Sequence, residues 1–317
     1  MTYLAIKSKR RTAMAALHNQ ISTPSNVILN VIIFLACLVC VYPMALIIGV
    51  SLSDEKEILK TGYSLIPRVF SDYAYRYMLT TGRGILQAYW VTFASTACGT
   101  ALHVLFTSMF AYPLSRPEFP WRRGFSLFIF ITMLFGGGLV PWYIVCTQVV
   151  RMQDTLFALF VPAMFSGYNC FVLRTFIKSN IPDSLIESAR IDGSSEWHTY
   201  LRIILPLSKA GLATIGFFVA LGIWNDWFCC LLFINKRTEL TNLNFLLYKM
   251  MAQIQALSQM ASREMSIALY GMDRRKAIPA ESARMALCLV SIGPIVLAYP
   301  FFQRFFIKGL VIGAVKG

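Results

Sequence analysis

The stretch "ESARIDGSSEWHTYLRIILPL", residues 187–207, is a compact polar segment between long apolar runs of the chain. A loop that only joined two helices would need few polar residues. This segment instead contains signals for two short helices. Asp192-Gly193 is expected to end the first helix, because glycine adopts the left-handed conformation without a steric penalty. Ser195 provides a cap for the second helix.

The first of these helices begins upstream, in "SNIPDSLIES", residues 179–188. We predict Asn180 as its cap, Pro182 in its first turn and Asp183 in a capping-box-like position. The second helix has an apolar stripe at helical spacing, formed by Trp197, Tyr200, Leu201 and Ile204. Pro206 then closes or kinks that helix. Such a pair of helices either rests on lipid headgroups or is held by a partner protein.

The composition places the rest of the chain in a membrane. Of its 317 residues 57% are hydrophobic and 14% are charged, and its mean hydropathy is +0.60, whereas about 25% of the residues of a soluble domain are charged. A helix needs about 20 apolar residues to cross a bilayer. We predict an all-α membrane protein, because six segments meet that demand: 27–51, 85–112, 124–148, 155–177, 211–234 and 283–303.

These six predicted transmembrane helices are expected to form one bundle, the domain 27–303, because helices in lipid satisfy their polar groups through their neighbours. The positive-inside rule gives its orientation. Basic residues exceed acidic ones in the N-terminal segment 1–26, in the loop 113–123 and in the C-terminal tail 304–317. Both termini and the loop 178–210 are therefore expected on the cytoplasmic side of a multi-pass protein of the cytoplasmic (inner) membrane. The segments 52–84 and 235–282, with strand-like or aromatic pieces, are expected as caps on the outer face.

Several classes of function find no support in the sequence. The eight cysteines lie in apolar runs, where cysteine behaves as a small hydrophobic residue. The net charge of +14 is spread over loops, without a nucleic-acid-binding motif. No G-x-x-x-x-G-K-[ST] sequence is present to cradle a phosphate. We expect no catalytic residue, no metal site and no cofactor in this chain.

A candidate substrate pathway lies in "WNDW", residues 224–227. Asp226 is the one acidic residue predicted within a span, and such a group usually marks a pathway or a buried partner. Trp224, Asn225 and Trp227 complete this cluster, and Tyr143 and Asn169 are weaker candidates. Alternatively, the polar groups bond to another helix and the tryptophans lie at the membrane interface.

The third predicted span contains its own break signal. Gly136, Gly137 and Gly138 precede Pro141, and we predict a helix break there, of the kind tolerated where backbone lines a cavity. Close packing of another helix on the glycines is the alternative. His103, in an apolar run, is expected to be a hydrogen-bonded core histidine.

The segment 187–207 resembles the "EAA" loop of bacterial ABC importer permeases. The matching residues are Glu187-Ser188-Ala189, Asp192-Gly193 and Ile203-x-Leu205-Pro206, at the family's spacing throughout. Ser188 replaces an alanine, and Ala210 stands where relatives often have proline. "AYPLSR" (111–116) is similar to maltose-type sugar permeases. "FGGGLVPWY" (135–143), "WNDW" and "QRFFIKGLVIGAVKG" (303–317) resemble the subgroup that imports oligosaccharides and polysaccharide fragments.

The resemblance implies a translocation subunit rather than an enzyme. It implies a second permease chain, giving a heterodimer, two ATPase subunits that bind ATP and Mg, and an extracytoplasmic binding protein that delivers an oligosaccharide. The loop 178–210 would supply a coupling helix whose apolar face packs in the ATPase. The residues carried over to this role are Glu187, Ser188, Ala189, Asp192, Gly193, Ile203, Leu205 and Pro206.

Three other functions remain open at the level of sequence. An ion-coupled secondary transporter normally has inverted repeats and a charged relay within its spans. An ABC permease for a non-sugar substrate would share the EAA loop. A membrane scaffold without transport would need neither this loop nor a polar cluster within a span. The outer loops are net basic, which favours an acidic oligosaccharide as the substrate, unless those bases pair with the binding protein or with lipid.

Overall fold

The computed structural model of the protein describes residues 23–81, 84–264 and 280–314. These residues are helical apart from turns, and the strand-like pairing among them is an isolated antiparallel bridge between Ser53 and Phe70. The predicted all-α class is therefore confirmed. The basic residues before position 23 lie outside the described residues. Two compact units divide the chain, residues 1–74 with 281–286 and residues 75–280 with 287–317.

The first unit begins with α1 (Thr23–Ser51), an apolar helix of 29 residues. Its side chains between Val27 and Tyr42 are largely exposed, as expected of a helix that is apolar all round and faces lipid. The short helix α2 (Glu55–Thr61) follows. Asp54 caps α2 by accepting a hydrogen bond from the backbone N–H of Lys56, and Gly62 ends it.

The helix α3 (Tyr73–Thr81) leads from the first unit into the second, and α14 (Ala280–Ala314) is the last helix of the chain. The helices between them belong to the second unit: α4 (Ile85–Ser115), α5 (Arg122–Leu134), α6 (Leu139–Ile144), α7 (Gly167–Asn180), α8 (Asp183–Ile191), α9 (Glu196–Thr199), α10 (Leu205–Leu207), α11 (Lys209–Asn225), α12 (Phe228–Phe233) and α13 (Leu243–Glu264). Turns of π-helix at 145–149 and 200–204 extend α6 and join α9 to α10.

The main core of the second unit lies where α4, α7, α8 and α11 meet. Its buried residues are Ala111, Tyr112, Leu114, Ile129, Cys170, Leu173, Ile177, Ile181, Ile186, Tyr200, Ile204 and Ile215. Gly99 lets α4 approach α11 closely, since a Cβ atom there would lie 2.6 Å from Cδ1 of Ile223. Tyr200 and Ile204 of the segment 187–207 thus pack in the core of this unit.

Three helices are by themselves long and apolar enough to cross a membrane: 24–51, 85–115 and 280–297. Three further pairs of helices are long and apolar enough when the two helices of a pair are taken together, but each pair is bent. The bends are 114° (122–134 with 139–149), 50° (156–163 with 167–180) and 74° (196–207 with 209–225). The described residues therefore contain three clear apolar spans, or up to six if each bent pair counts as one span. The predicted span 211–234 is interrupted, because α11 ends at Asn225 and α12 begins at Phe228.

Two local predictions were wrong. Asn180 does not cap α8. Instead it ends α7, and its side-chain amide donates to the carbonyl of Phe176. Pro182 precedes α8, and Asp183 is the first residue of α8. The helix starts this late because Ile181, which precedes the proline, is kept out of the helical region. The predicted outer segments are also more helical than expected, since they contain α2, α3 and the whole of α13.

Candidate functional site

The helix α8 presents one polar face. Ile186 and Ala189 are buried against the core, while Glu187, Ser188 and Ile191 are exposed. The apolar face, which we expected to pack in a partner ATPase, is thus covered by this chain itself. Within the described part of the chain, the carboxylate of Glu187 has no hydrogen-bond or ion-pair partner. Ile191, a residue that the sequence did not single out, is 86% exposed.

The turn after α8 has the predicted form. Gly193 has a φ of 77°, and the backbone N–H of Ser194 donates to the carbonyl of Ala189 at 2.9 Å. Asp192, just before it, is exposed. Ser195 caps α9 by accepting a hydrogen bond from the backbone N–H of His198 at 3.3 Å. The chain therefore turns within a few residues, and α8 and this turn form a corner with several exposed side chains.

The predicted stripe on the second helix is only half correct. Tyr200 and Ile204 are buried, but Trp197 and Leu201 are 63% and 55% exposed. The π-helical turn at 200–204 changes the angular spacing of the residues that follow Thr199, and sequence periodicity does not register such a turn.

The other residues carried over from the EAA loop lie near a bend. Ile203 is in the π-helical turn, and Leu205 and Pro206 form α10. Ser208, with φ −86° and ψ 4°, separates α10 from α11. The axes on either side of Ser208 differ in direction by 74°.

A charged cluster connects this segment to the end of α4. Glu196 accepts a hydrogen bond from the Tyr112 hydroxyl at 2.7 Å and pairs with Arg190 at 2.9 Å. This contact with Glu196 raises the pKa of the Arg190 guanidinium above its ordinary value. Arg116 pairs with Asp183 at 3.0 Å.

This charged cluster borders a cavity of about 380 Å³. Its walls also include Met109, Pro113, Glu118, Phe119, Pro120, Trp197 and Tyr200.

The "WNDW" cluster is held by hydrogen bonds within the chain. Asp226 caps α12 by accepting from the backbone N–H groups of Phe228 and Cys229 at 2.9 and 3.1 Å. Asn225 donates to the carbonyl of Leu221 in its own helix, and the Trp224 indole donates to the carbonyl of Ser291. These are contacts of the kind that the alternative interpretation anticipated.

The structure adds α13 to this cluster. Trp227 stacks on Tyr248 with ring centroids 4.8 Å apart, and both rings remain partly exposed. Asn242 donates to the carbonyl of Asp226, and Asn244 to that of Trp224 at 2.5 Å. We did not single out these residues in the sequence, because α13 was assigned to an outer cap. The two amides in "TNLNF", residues 241–245, were the available signal.

The remaining pathway candidates are dispersed. Tyr143 stacks on Phe233, with ring centroids 5.7 Å apart. Asn169 is hydrogen-bonded to His103 at 2.9 Å, and His103 also contacts the carbonyl of Ala163 at 2.6 Å. His103 is 2% exposed, which confirms it as a hydrogen-bonded core histidine. In the described ranges, no group of three His, Cys, Asp or Glu residues lies close enough together to hold a metal ion.

The glycines of the third predicted span occupy a break. The helix α5 ends at Leu134 and α6 begins at Leu139, and Gly138 has a φ of 84°. A Cβ atom at Gly136 or Gly138 would meet nothing within 4 Å. Close packing on these glycines, the alternative reading, is therefore absent within the described part of this chain. Pro141 lies in the first turns of α6.

Helices that are broken at polar or glycine-rich positions within apolar segments are a feature of membrane transport proteins. The chain belongs to the family described as binding-protein-dependent transport system inner membrane component, which it matches over residues 13–311. This membership supports the importer interpretation rather than an ion-coupled secondary transporter or a scaffold.

Two similar proteins of Bacillus subtilis (strain 168) cover almost the whole chain. Protein LplC is 33% identical over 309 residues, which are 96% of this chain and 100% of LplC. The polygalacturonan/rhamnogalacturonan transport system permease protein YtcP is 33% identical over 280 residues, 88% of this chain and 94% of YtcP.

The fold is also found in a solved structure. A chain from the crystal structure of a bacterial ABC transporter involved in the import of the acidic polysaccharide alginate superimposes with a TM-score of 0.74 at 23% identity. The match covers 89% of this chain and 96% of that one. At this identity the match shows a shared fold.

Proposed function

We propose that this chain is a translocation subunit of an ATP-driven importer, which moves an oligosaccharide from an extracytoplasmic binding protein to the cytoplasm by alternating access. The observation that carries the proposal is the exposed corner formed by α8 and the turn at Gly193. Its exposed face carries Glu187, which has no partner among the described residues, and Ile191, so it offers a charge and an apolar contact to a partner. Family membership supplies the kind of partner.

In this proposal the working assembly contains a second permease chain, two ABC ATPase subunits and a binding protein. The ATPases bind ATP and Mg, and this chain holds no cofactor of its own. Closure of the ATPase dimer displaces α8, since a conformational change is driven by contacts that differ between two states. The exposed Glu187, Ser188, Asp192 and Gly193 form the contact, whereas Ala189, Ile203, Leu205 and Pro206 shape the segment behind it.

The proposed topology has six crossings of the bacterial inner membrane. Three are made by single helices, two by the bent pairs 122–134 with 139–149 and 156–163 with 167–180, and one by the span 211–234, which contains most of α11 and all of α12. Both termini and the coupling loop 178–210 lie in the cytoplasm, which is supported by the bias of basic residues toward the loop 113–123 and the terminal segments. The segments 52–84 and 235–282 then lie toward the binding protein.

For the substrate we propose a pathway along the Trp227–Tyr248 stack. Aromatic faces with a few polar groups beside them are typical of small-molecule sites. Asn225 and the backbone around Asp226 lie at the same helix break, and Trp224, Tyr143 and Asn169 are more distant candidates along the pathway. The break at Gly136–Gly138 provides a second stretch of irregular backbone.

An acidic oligosaccharide is the substrate class that we favour. Lys249 is the residue after Tyr248, and its Nζ atom lies 4.4 Å from the centroid of the Phe245 ring. A cation is therefore present near the Trp227–Tyr248 stack. YtcP is named for polygalacturonan and rhamnogalacturonan, and the alginate transporter imports an acidic polysaccharide. These names describe the relatives, and they support the same class for this chain.

Purification of the tagged chain from its native membrane in mild detergent tests the assembly. We expect a second permease chain and an ATPase with a phosphate-binding loop to accompany it. Recovery of the chain alone, or only with copies of itself, would contradict the proposal.

Substitution tests the exposed corner in the same complex. Glu187→Gln is expected to lower oligosaccharide uptake at least about fivefold, since couplings between sites typically change affinities by about 5- to 150-fold. The free energy of unfolding of this variant should change by less than about 0.5 kcal/mol, because the Glu187 carboxylate has no partner among the described residues. Glu239→Gln, which neutralises another exposed carboxylate far along the chain, is the matched control. Normal uptake by Glu187→Gln would exclude the proposed contact.

A further inference from the structure

We propose that Tyr112, Glu196 and Arg190 form a positioning link that makes α4 move together with the coupling helix α8. The inference rests on the proposed function and specifies how a displacement of α8 reaches the membrane-spanning helices. None of these three residues is in the EAA pattern, and none touches the substrate pathway.

Chain continuity alone does not form a rigid connection. Residues 196–207, which follow the coupling helix, lead into α11, but the chain bends by 74° at Ser208 between residues 196–207 and α11. The π-helical turn at 200–204 is a second irregularity, and such turns mark places where a helix is locally less regular. A push on α8 therefore needs a side-chain route in addition to the backbone.

The link consists of one carboxylate with both oxygens engaged. Glu196 Oε2 accepts the hydrogen bond from Tyr112 at 2.7 Å. Glu196 Oε1 accepts from Nε and pairs with Nη2 of Arg190, at 3.0 and 2.9 Å. Arg190 lies in the last turn of α8, and Tyr112 lies near the end of α4, where it is 6% exposed. The carboxylate thus bridges the two helices directly.

A second pair fastens the opposite end of α8. Asp183, the first residue of α8, pairs with Arg116, which follows α4 and is 4% exposed. The Tyr200 hydroxyl adds a contact of 2.7 Å with Ser108 of α4. The coupling helix is therefore tied to one membrane helix at both of its ends.

Directional contacts matter here because the remaining contacts are apolar. Ile186, Tyr200 and Ile204 pack in the same core as Leu114, but apolar contacts have no preferred direction and permit small shifts. Charge-assisted hydrogen bonds fix one geometry. The link accordingly sets the position of α8 against α4, while the core supplies most of the stability.

The test measures uptake per ATP hydrolysed in proteoliposomes that contain the intact transporter and its loaded binding protein. An oligogalacturonide serves as the probe. We expect Glu196→Gln to lower this ratio about five- to tenfold, because it removes the charge that pairs with Arg190 and leaves one acceptor oxygen where the carboxylate has two. Tyr112→Phe, which removes one hydroxyl, should lower it in the same direction. Glu239→Gln makes the same chemical change at an exposed carboxylate outside the link and should leave the ratio unchanged.

An unchanged ratio in both Glu196→Gln and Tyr112→Phe, or equal losses in these variants and Glu239→Gln, would overturn the link. If the unmodified chain neither binds an ATPase nor imports the probe, the proposed function fails instead. The two failures are therefore distinguishable.

Discussion

Glu55 and Ser282, which are 227 residues apart in sequence, are joined by two hydrogen bonds. Glu55 Oε2 accepts from the backbone N–H of Ser282 at 3.0 Å and from its hydroxyl at 2.7 Å. Glu55 Oε1 accepts from the backbone N–H of Glu281 at 2.9 Å. Because the first N–H groups of a helix have no partner within it, this buried carboxylate caps α14 from a distant part of the chain.

We predict that Glu55→Ala destabilises the protein by about 1–2 kcal/mol, the usual effect of removing an N-terminal cap. Glu57→Ala, two residues along in α2, removes a carboxylate that has no hydrogen-bond or ion-pair partner within the described residues, and should cost less. Thermal unfolding in detergent compares the two variants. Equal shifts would show that the contact with Ser282 does not contribute to stability.

Gly193 and Gly62 form a natural pair for testing the coupling turn. Both end a short exposed helix, with φ of 77° and 79°, and a Cβ atom at either would meet nothing within 4 Å. Alanine at the positive φ of Gly193 costs about 1–2 kcal/mol, and at Gly62, whose ψ is −170°, it costs about 1–3 kcal/mol. We predict losses of stability for both Gly193→Ala and Gly62→Ala, but loss of ATP-driven uptake only for Gly193→Ala. Equal uptake by the two variants would count against a role for the turn in coupling.

The Trp227–Tyr248 stack offers a test of the substrate pathway. An aromatic contact contributes about 0.5–1.5 kcal/mol, so Trp227→Ala should lower uptake of an oligogalacturonide about two- to tenfold. Trp121→Ala, at an exposed tryptophan just before α5, is the control. Uptake assays at saturating binding protein separate this effect from loss of docking. Matching uptake by both variants would remove Trp227 from the pathway.

Asp154 ties two loops of the second unit together. One carboxylate oxygen accepts hydrogen bonds from the backbone N–H groups of Asn235, Lys236 and Arg237, at 2.8, 2.8 and 3.3 Å. These bonds, that from Lys236 foremost, lower the pKa of Asp154 below its ordinary value of 3.8. The stabilisation is therefore present above pH 3.8 and is lost as the pH falls through the lower pKa of the folded state.

We predict that Asp154→Ala accelerates hydrogen exchange of the three backbone amides at neutral pH, because they lose their acceptor. Asp72→Ala, at a half-buried aspartate in another loop, should leave their exchange unchanged. Unaltered exchange in Asp154→Ala would show that other groups hold the loop 235–237.

Local sequence was sufficient for the features that depend on a few neighbouring residues. The turn at Gly193, the cap at Ser195 and the breaks after Leu134 and at Ser208 all follow from glycine, serine and proline chemistry acting within one helical turn. The membrane class followed from composition. These signals act over short distances, so no partner from elsewhere in the chain is needed to produce them.

Only the tertiary structure decided the roles that depend on distant partners. The sequence marked Asp226 as a candidate for the pathway, and the fold gives it the backbone N–H groups of α12 and brings the amide of Asn242 to its carbonyl. It also buries Ile186 in the chain's own core and leaves Glu187 exposed. Hydrogen bonds and packing between residues far apart form only when the whole chain folds, and spacing along the sequence does not encode which distant group will meet a given side chain.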